Sequence, residues 1–271
     1  MNPLPAAAAP PRRVSVCADD FGANEAASLA ILALARDGAI SCTSCMVYSP
    51  CIGRHAGELR ALAPKVSAGL HLDLTEFAPL PIRASLRRWL ARGFLLSNID
   101  QAQVLAEIRR QLDRFQELFG HAPAFVDGHC HVHQIPGIRE PLLEELQRRH
   151  GRSVAIRSTR ARGAHGLKGR FIEELGGRSL HALIERAALP VNADFAGAYD
   201  LVSMSAFGRS MQSWLRGIAH DGLIMCHPEL PARGQRSPAT AREAEYCFLA
   251  SPDWPRLCAR LNVQLQPFAA G

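Results

Sequence analysis

Hydrophobic residues along the chain form short continuous runs that alternate with segments in which they recur at helical spacing. Apolar runs of about four to eight residues between turn signals predict buried strands, and recurrence at every third or fourth position predicts amphipathic helices. The predicted strands are VSVCADD (14–20), SCTSCMV (41–47), VSAGLHLDLT (66–75), AFVDGHCHVH (124–133), SVAIRST (153–159), DLVSM (200–204) and GLIMCHP (222–228). The predicted helices lie between them, over residues 24–36, 100–119, 138–150, 179–188 and 210–220, with another before Pro64.

This alternation predicts parallel strands joined by crossover helices. Six to eight such units, without an internal repeat or a central linker, predict one α/β domain with a distorted (β/α) TIM-like barrel over residues 14–271. Residues 1–13 are rich in proline and alanine, and their arginines follow the alanines, so they predict a short disordered leader rather than a secretory signal. Residues 159–178 are rich in glycine and arginine and predict an excursion, which either covers the active face or is a solvated loop.

Composition excludes several function classes. The chain has 271 residues and a formal charge of +6, but all of its 31 basic residues except Lys65 and Lys168 are arginine, and they form no block with interleaved aromatic residues. Nucleic-acid binding is therefore not predicted. No stretch approaches the roughly eighteen apolar residues of a membrane span. The eight cysteines are dispersed, which favours buried thiols in a reducing compartment, the cytoplasm.

Candidate chemistry follows the carboxyl ends of the predicted strands, where a barrel of this kind gathers its functional groups. In chain order these ends carry Asp19 and Asp20, His71, the cluster from Asp127 to His133, Arg157 and His227. Acids and histidines at consecutive strand ends are the side chains from which a metal site is built. Arg157 is a candidate substrate contact.

Asp19 and Asp20 are adjacent carboxylates behind an apolar strand. Either could cap the following helix. Two adjacent carboxylates repel each other, however, so that a bound cation or a shared proton would compensate them. If one carboxylate binds a metal ion and the other accepts a proton as general base, both kinds of compensation are present.

The segment DGHCHVHQIP (127–136) carries the densest group of candidate ligands. On an extended strand, Asp127, His129, His131 and His133 would face the same way at intervals of about 6.6 Å. Some of them would bind an ion and others would hold the ring of a ligand. His71 by itself is either a hydrogen-bonded core residue or a further ligand, and His227, which titrates near neutrality, is a candidate general acid.

Four motifs in the order ADDFG (18–22), GLHLDLT (69–75), DGHCHVHQIP (127–136) and CHPE (226–229) resemble the YdjC-like carbohydrate deacetylases. That family includes chitooligosaccharide deacetylases and the hopanoid-associated HpnK branch. The resemblance implies a distorted barrel, one divalent metal ion, Mg²⁺ or Zn²⁺, and removal of an N-acetyl group from an amino sugar. It also implies a homodimer.

The same resemblance implies roles for individual residues. Asp20, His71 and His129 correspond to the metal ligands, with His131 as an alternative to His129, and Asp127 and His133 as further ligands or residues that support the ligands. Asp19 corresponds to the general base and His227 to the general acid. Cys130 stands where relatives carry a histidine, and strand alternation predicts that it faces away. Arg242, Glu243 and Glu245 resemble a C-terminal segment of the family, without an assigned role.

Two other functions are compatible with these residues. One is a different barrel-type metal hydrolase, an amidohydrolase or a phosphoesterase, although such enzymes usually carry H-x-H on the first strand. The other is a non-catalytic barrel that retains a metal and binds carbohydrate, which would need neither Asp19 nor His227. The expected substrate is an N-acetylated amino sugar, as an oligosaccharide or a glycolipid.

Overall fold

The structure of the protein is a computed structural model that describes residues 9–162, 166–199, 207–232 and 239–268. The predicted strand at 200–204 lies outside these residues, as does most of the predicted leader. The described part of the leader, from Ala9, is exposed apart from half-buried Arg12, where the first strand already begins.

A parallel sheet forms the centre of the fold, as predicted. Its strands within the described residues are β1 (Arg12–Phe21), β2 (Cys42–Cys45), β3 (Ser67–Leu72), β4 (Phe125–Gly128), β5 (Ala155–Ile156), β6 (Phe195–Ala196), β7 (Gly222–Cys226) and β8 (Val263–Leu265). The strand order is β5-β4-β3-β2-β1-β7-β6, and β8 pairs with the beginning of β1. Every pair is parallel, because a helical crossover connects successive strands.

Ten helices cover the outside of the sheet in the described ranges. They are α1 (Glu25–Arg36), α2 (Ile52–Arg60), α3 (Leu86–Leu90), α4 (Gln101–Phe119), α5 (Arg139–His150), α6 (Gly166–Ile172), α7 (Arg178–Arg186), α8 (Phe207–Gly217), α9 (Ala241–Leu249) and α10 (Asp253–Arg260). The predicted helices correspond to α1, α2, α4, α5, α7 and α8. The excursion at 159–178 contains α6, a helix that the hydrophobic pattern of the sequence did not predict. No helix in the described ranges has both the length and the apolar character that crossing a membrane requires.

The sheet curls into a distorted barrel. Ile156 in β5 bridges to Val191, just before β6, so that the two edges of the sheet approach each other. Along β1, Val14 and Val16 pack in the larger core between strands and helices, whereas Cys17 packs in a smaller core with residues of other strands, including Phe125. Alternate β1 residues therefore face the helices and the barrel interior, and this confirms the predicted fold class.

The predicted fourth strand is too long. β4 ends at Gly128, and residues His129–Gln134 form a short 3₁₀ turn in which Cys130 and His131 have φ values of 52° and 58°. A β-carbon at position 128 would lie 2.9 Å from the backbone nitrogen of His133, so the turn folds back tightly on the strand end. The prediction that Asp127, His129, His131 and His133 share one face of a strand is therefore wrong.

Candidate active site

A cavity of about 420 Å³ opens at the carboxyl ends of the strands. Its polar lining comes from β1, β3, the turn after β4, the segments that follow β6 and β7, and α9. Its remaining lining is largely apolar and includes residues of α3 and of the excursion. The lining residues are Asp19, Asp20, His71, Leu86, Leu90, Gly128, His129, Cys130, His131, Gln134, Ile135, Phe171, Ile172, Leu175, Gly197, Ala198, Tyr199, Met225, His227 and Arg242.

Asp19 and Asp20 both line the cavity although consecutive strand residues normally face opposite sides. Asp20 has a φ of 69°, and the pairing of β1 with β2 shifts register between Ala18 and Phe21. Such an irregularity redirects side chains at a strand end. The left-handed conformation at Asp20 thus brings both carboxylates to one site.

The three residues predicted as ligands lie together. Asp20 Oδ1 is 3.3 Å from His71 Nε2 and 3.2 Å from His129 Nδ1, and one ligand atom from each of the three lies within 4.8 Å of the others. One carboxylate and two imidazoles suit Zn²⁺ and other divalent ions, and three protein ligands leave coordination positions for water and substrate. The donor set and its spacing therefore fit the divalent metal ion that the sequence predicts.

Each of the two imidazoles has a second carboxylate on its other nitrogen. His71 Nδ1 is 2.6 Å from Asp127 Oδ1 and 3.0 Å from Ser44 Oγ, both buried. His129 Nε2 is 3.3 Å from Glu76 Oε2. This arrangement leaves Nε2 of His71 and Nδ1 of His129 directed at Asp20. A metal-binding histidine needs a partner of this kind on the nitrogen that does not bind the ion.

In the metal-free protein, the protonated rings of His71 and His129 supply positive charge beside Asp20. Burial would lower the pKa of His71, but Asp127 and Asp20 outweigh it and raise that pKa to about 10. Burial would likewise lower the pKa of His129, but the hydrogen bond with Asp20 outweighs it and raises that pKa to about 11. Burial also opposes the charge on Asp20, but the hydrogen bonds from His129 and His71 keep its pKa well below the ordinary value.

Asp19 is held by a buried arginine. Arg157 Nη1 and Nη2 each donate to one oxygen of Asp19 at 2.6 Å, and Ser44 Oγ donates to Asp19 Oδ1 at 3.0 Å. Burial would raise the pKa of Asp19, but Arg157 outweighs it and keeps the carboxyl ionised. Arg157 is completely buried and also pairs with Asp127 at 2.5 Å. It does not line the cavity, so the predicted substrate contact does not fit its position.

His227 faces Asp19 across the cavity. Its Nε2 lies 3.9 Å from Asp19 Oδ2, and its backbone N–H donates to buried Glu245, which also accepts a 2.5 Å hydrogen bond from the hydroxyl of Tyr199. Burial lowers the pKa of His227, so that its protonated form gives up a proton readily. Burial raises the pKa of Glu245 to about 7.

The other residues of the 127–136 segment have different surroundings. His131 lines the cavity and packs edge-on against Phe195, with ring centroids 6.2 Å apart, but it does not join the three clustered ligands. His133 is buried and its Nε2 donates to the carbonyl of Arg157 at 3.1 Å. Cys130 is exposed and lines the cavity, so the prediction that it faces away is wrong.

Sequence reasoning missed or left open several residues of the site. Arg242 Nη2 donates to Asp20 Oδ2 at 2.7 Å, and Glu245 supports the backbone at His227. Glu243 instead completes the capping box of α9 with Thr240. The AREAEY segment (241–246) contains all three residues. The sequence pattern alone could not distinguish the helix-capping Glu243 from the site residues Arg242 and Glu245.

The profile of the YdjC-like protein family matches residues 13–260. The chain belongs to this family. It is 27% identical to a chitooligosaccharide deacetylase from Klebsiella pneumoniae subsp. pneumoniae over 223 residues, 80% of this chain and 81% of the relative. It is 34% identical to a chitooligosaccharide deacetylase from Yersinia pestis over 140 residues, 49% of this chain and 54% of the relative.

The YdjC-like fold also resembles a solved structure. A protein from Enterococcus faecalis V583 that is named for cellobiose-phosphate cleavage aligns with a TM-score of 0.67 and 18% sequence identity. The alignment covers 95% of this chain and 98% of that one. At this identity the likeness supports the fold of the YdjC-like chain.

Proposed function

We propose that this protein is a metal-dependent hydrolase that removes an N-acetyl group from an amino sugar and releases acetate. The observation that carries the proposal is the position of Asp20, His71 and His129 beside Asp19 and His227 in one cavity. A purely structural metal site would need no such pair of acid–base groups. The names of the chitooligosaccharide deacetylases among the relatives support the same reaction class.

Asp20, His71 and His129 would hold the ion in this proposal. A divalent cation bound there would supply Lewis-acid chemistry, polarising the acetamide carbonyl and increasing the acidity of water. Asp127 would fix the tautomer of His71 by accepting a hydrogen bond from Nδ1, so that the lone pair of Nε2 would be available to the ion.

Asp19 and His227 would move the protons. Asp19 takes a proton as water attacks the amide carbon, and Arg157 holds its two oxygens in a fixed orientation. His227 gives a proton to the departing amine. The 3.9 Å between Asp19 Oδ2 and His227 Nε2 supports this assignment, because groups so close together would both reach one amide.

The lining of the cavity bears on the choice between an oligosaccharide and a glycolipid. Leu86, Leu90, Phe171, Ile172 and Leu175 present apolar surface next to the polar group of Asp20. A free chitooligosaccharide would leave much of this surface in contact with hydroxyl groups. We therefore propose an N-acetylated amino sugar that carries an apolar group. Cytoplasmic location and a homodimer stay predictions.

The test compares N-acetylglucosamine oligomers with an N-acetylglucosaminide that carries a long alkyl chain, with acetate and free amine both measured. We expect equimolar products, faster turnover of the alkyl glycoside, and loss of activity with a chelator. Release of phosphate from sugar phosphates without acetate release would favour the phosphoesterase alternative. Metal binding without turnover of any substrate would favour the non-catalytic barrel.

Asp19→Asn tests the proposed general base. We expect turnover to fall by about 10²–10⁴-fold while the metal stays bound, because this change removes a proton acceptor and no ligand. Asp253→Asn is the matched control, since the Asp253 side chain is 74% exposed on α10. Unchanged turnover in a metal-loaded Asp19→Asn protein would contradict the assigned role.

A further inference from the structure

Four large hydrophobic side chains project into solvent beside the cavity, and we call them the apolar rim. They are Phe94, Leu95, Leu96 and Phe171, whose exposed fractions are 39%, 80%, 62% and 63%. Only two other large hydrophobic residues of the described ranges are comparably exposed. Grouped apolar exposure of this kind marks a binding surface more often than it marks ordinary solvent-facing residues.

The apolar rim is continuous with the cavity. Leu86 and Leu90 of α3 line the cavity, and the same helical segment continues through residues 91–95 to the rim. Phe171 belongs both to the cavity lining and to the rim. A β-carbon at Gly176 would lie 3.4 Å from Phe94 Cζ, so the segment that carries Phe171 approaches Phe94 a few residues further along the chain.

Positive charge flanks the apolar rim. Residues 77–99 contain four arginines and no acidic residue. Arg83 Nη1 donates to the Glu76 carbonyl, and Arg92 Nη2 donates to the Asn98 carbonyl, both neutral acceptors. Arg87 and Arg88 are exposed, and no described carboxylate forms an ion pair with any of the four.

We propose that the apolar rim and these arginines dock on an anionic lipid bilayer, with the cavity mouth facing the membrane. Leucine and phenylalanine at the tip of a helical segment with arginines beside them are typical of segments that lie in the membrane interface. The arginines complement anionic headgroups. The docking extends the proposed function, because an amino sugar with an apolar group would reach the cavity directly from the bilayer.

The experiment measures co-sedimentation of the full-length protein with two kinds of vesicle. One contains phosphatidylcholine alone, and the other contains phosphatidylcholine and phosphatidylglycerol. We expect binding to the anionic vesicles that weakens with salt. The Leu95→Ser/Leu96→Ser protein should bind at least about tenfold more weakly, because it loses the most exposed apolar surface of the rim.

The Arg87→Ser/Arg88→Ser protein should lose about 30-fold in partitioning to the anionic vesicles, the factor expected for two basic residues near such a surface. The matched controls are Leu29→Ser on α1 and Arg256→Ser/Arg260→Ser on α10, which should bind as the unmodified protein does. Thermal unfolding of every variant checks that the fold is retained.

Absence of vesicle binding by the unmodified protein would overturn the proposal, as would equal binding by the rim variants and their controls. Light scattering tests the competing occupant, a second copy of the chain. A dimer that Leu95→Ser/Leu96→Ser dissociates, without vesicle binding, would assign the rim to a subunit interface. Binding is measured without turnover, so its failure leaves the proposed deacetylation standing, and failure of deacetylation leaves the docking standing.

Discussion

Two clusters of ligand-type side chains lie side by side at the end of β1, and they obtain positive charge in different ways. Cys17, Asp19 and Asp127 form one cluster, and the guanidinium of Arg157 contacts all three residues. Asp20, His71 and His129 form the other, whose positive charge in the metal-free protein is carried by imidazoles with raised pKa values. We call them the arginine cluster and the imidazole cluster.

The difference lies in whether the charge can be exchanged. A guanidinium stays protonated at every relevant pH and cannot leave the chain, whereas an imidazolium loses its proton when a metal binds. The arginine cluster therefore keeps the Asp19 carboxylate ionised in the resting protein, and the imidazole cluster can take up a cation. Ligand-type residues at a suitable spacing do not by themselves identify a metal site, because the neighbouring cations decide which group is available.

Arg157→Met breaks the arginine cluster and has the largest expected effect. We expect a loss of about 3–5 kcal/mol in the free energy of unfolding at pH 7, because Asp19 and Asp127 become buried charges without their partner. The pKa of Asp19 lies below its ordinary value in the folded protein, so its stabilisation is present above about pH 4 and is lost as pH falls. Without Arg157 this carboxyl would protonate at higher pH.

Urea unfolding at pH 7 and at pH 4 measures this difference, and the loss should be smaller at pH 4. Arg256→Met, at a side chain that is 71% exposed, is the control and should change little. Arg157→Lys keeps the charge without the paired hydrogen bonds and serves if the Met protein does not fold. A loss below about 1 kcal/mol in both variants would show that Arg157 is not the stabilising cation.

The pH dependence of metal binding sharpens the comparison at the imidazole cluster. Because the pKa values of His71 and His129 are raised to about 10 and 11, both rings hold a proton at pH 7 that a metal must displace. Displacement of two protons weakens apparent affinity by up to about 100-fold for each pH unit lost. Calorimetry at pH 7 in buffers of different ionisation enthalpy counts the released protons.

The raised pKa values of His71 and His129 also determine whether the metal-free protein gains or loses stability as pH rises. The folded pKa values lie above the ordinary 6.5, so their contribution to the metal-free protein is complete below about pH 6.5 and is lost as pH rises through 10 to 11. The increase in melting temperature on adding Zn²⁺ should therefore grow between pH 6 and pH 9. His220→Gln, at an exposed ring, should leave this trend unchanged. If no protons were released when the metal binds, the metal would not be displacing the protons of His71 and His129, and this interpretation would be contradicted.

The sequence predicted the fold well where apolar runs were long and failed where the signal was short or misleading. β6 and β8 have only two and three residues, too few for a periodic pattern. The fourth strand was extended past Gly128 because the alternation of polar and apolar residues continues to His133. Its termination depends on the left-handed turn at Cys130 and His131, which follows from tertiary packing rather than from local preference.

The candidate site shows the same division. The strand-end positions and the family motifs predicted that Asp20, His71 and His129 would lie together, and the described geometry brings them together. They also predicted that Asp19 and Asp20 would act at one site, but not the left-handed conformation at Asp20 that turns its side chain into the same cavity as Asp19. Nor could they distinguish a buried arginine that positions Asp19 from one that contacts substrate, because both occur at the end of a strand.

Glu76→Gln tests the weaker of the two supports within the imidazole cluster and has the smallest expected effect. Asp127, which is fully buried, supports His71, whereas the Glu76 side chain, which is 52% exposed, supports His129. The Asp73 carboxylate accepts the backbone N–H of Glu76 and of three neighbouring residues, so the loop that carries Glu76 is fixed. Solvent screening at Glu76 should limit the loss of metal affinity to about tenfold, against about 10–100-fold for Asp127→Asn.

Competition with a chelating dye measures both affinities, and Glu58→Gln, 48% exposed on α2, is the matched control. A double-mutant cycle separates support of the ligand from a general loss of negative charge. If Glu76 acts through the ring of His129, Glu76→Gln should cause no further loss in a His129→Ala protein. An equal loss in both backgrounds would mean that Glu76 attracts the cation only through its charge, and that Asp127 alone orients a ligand in this cluster.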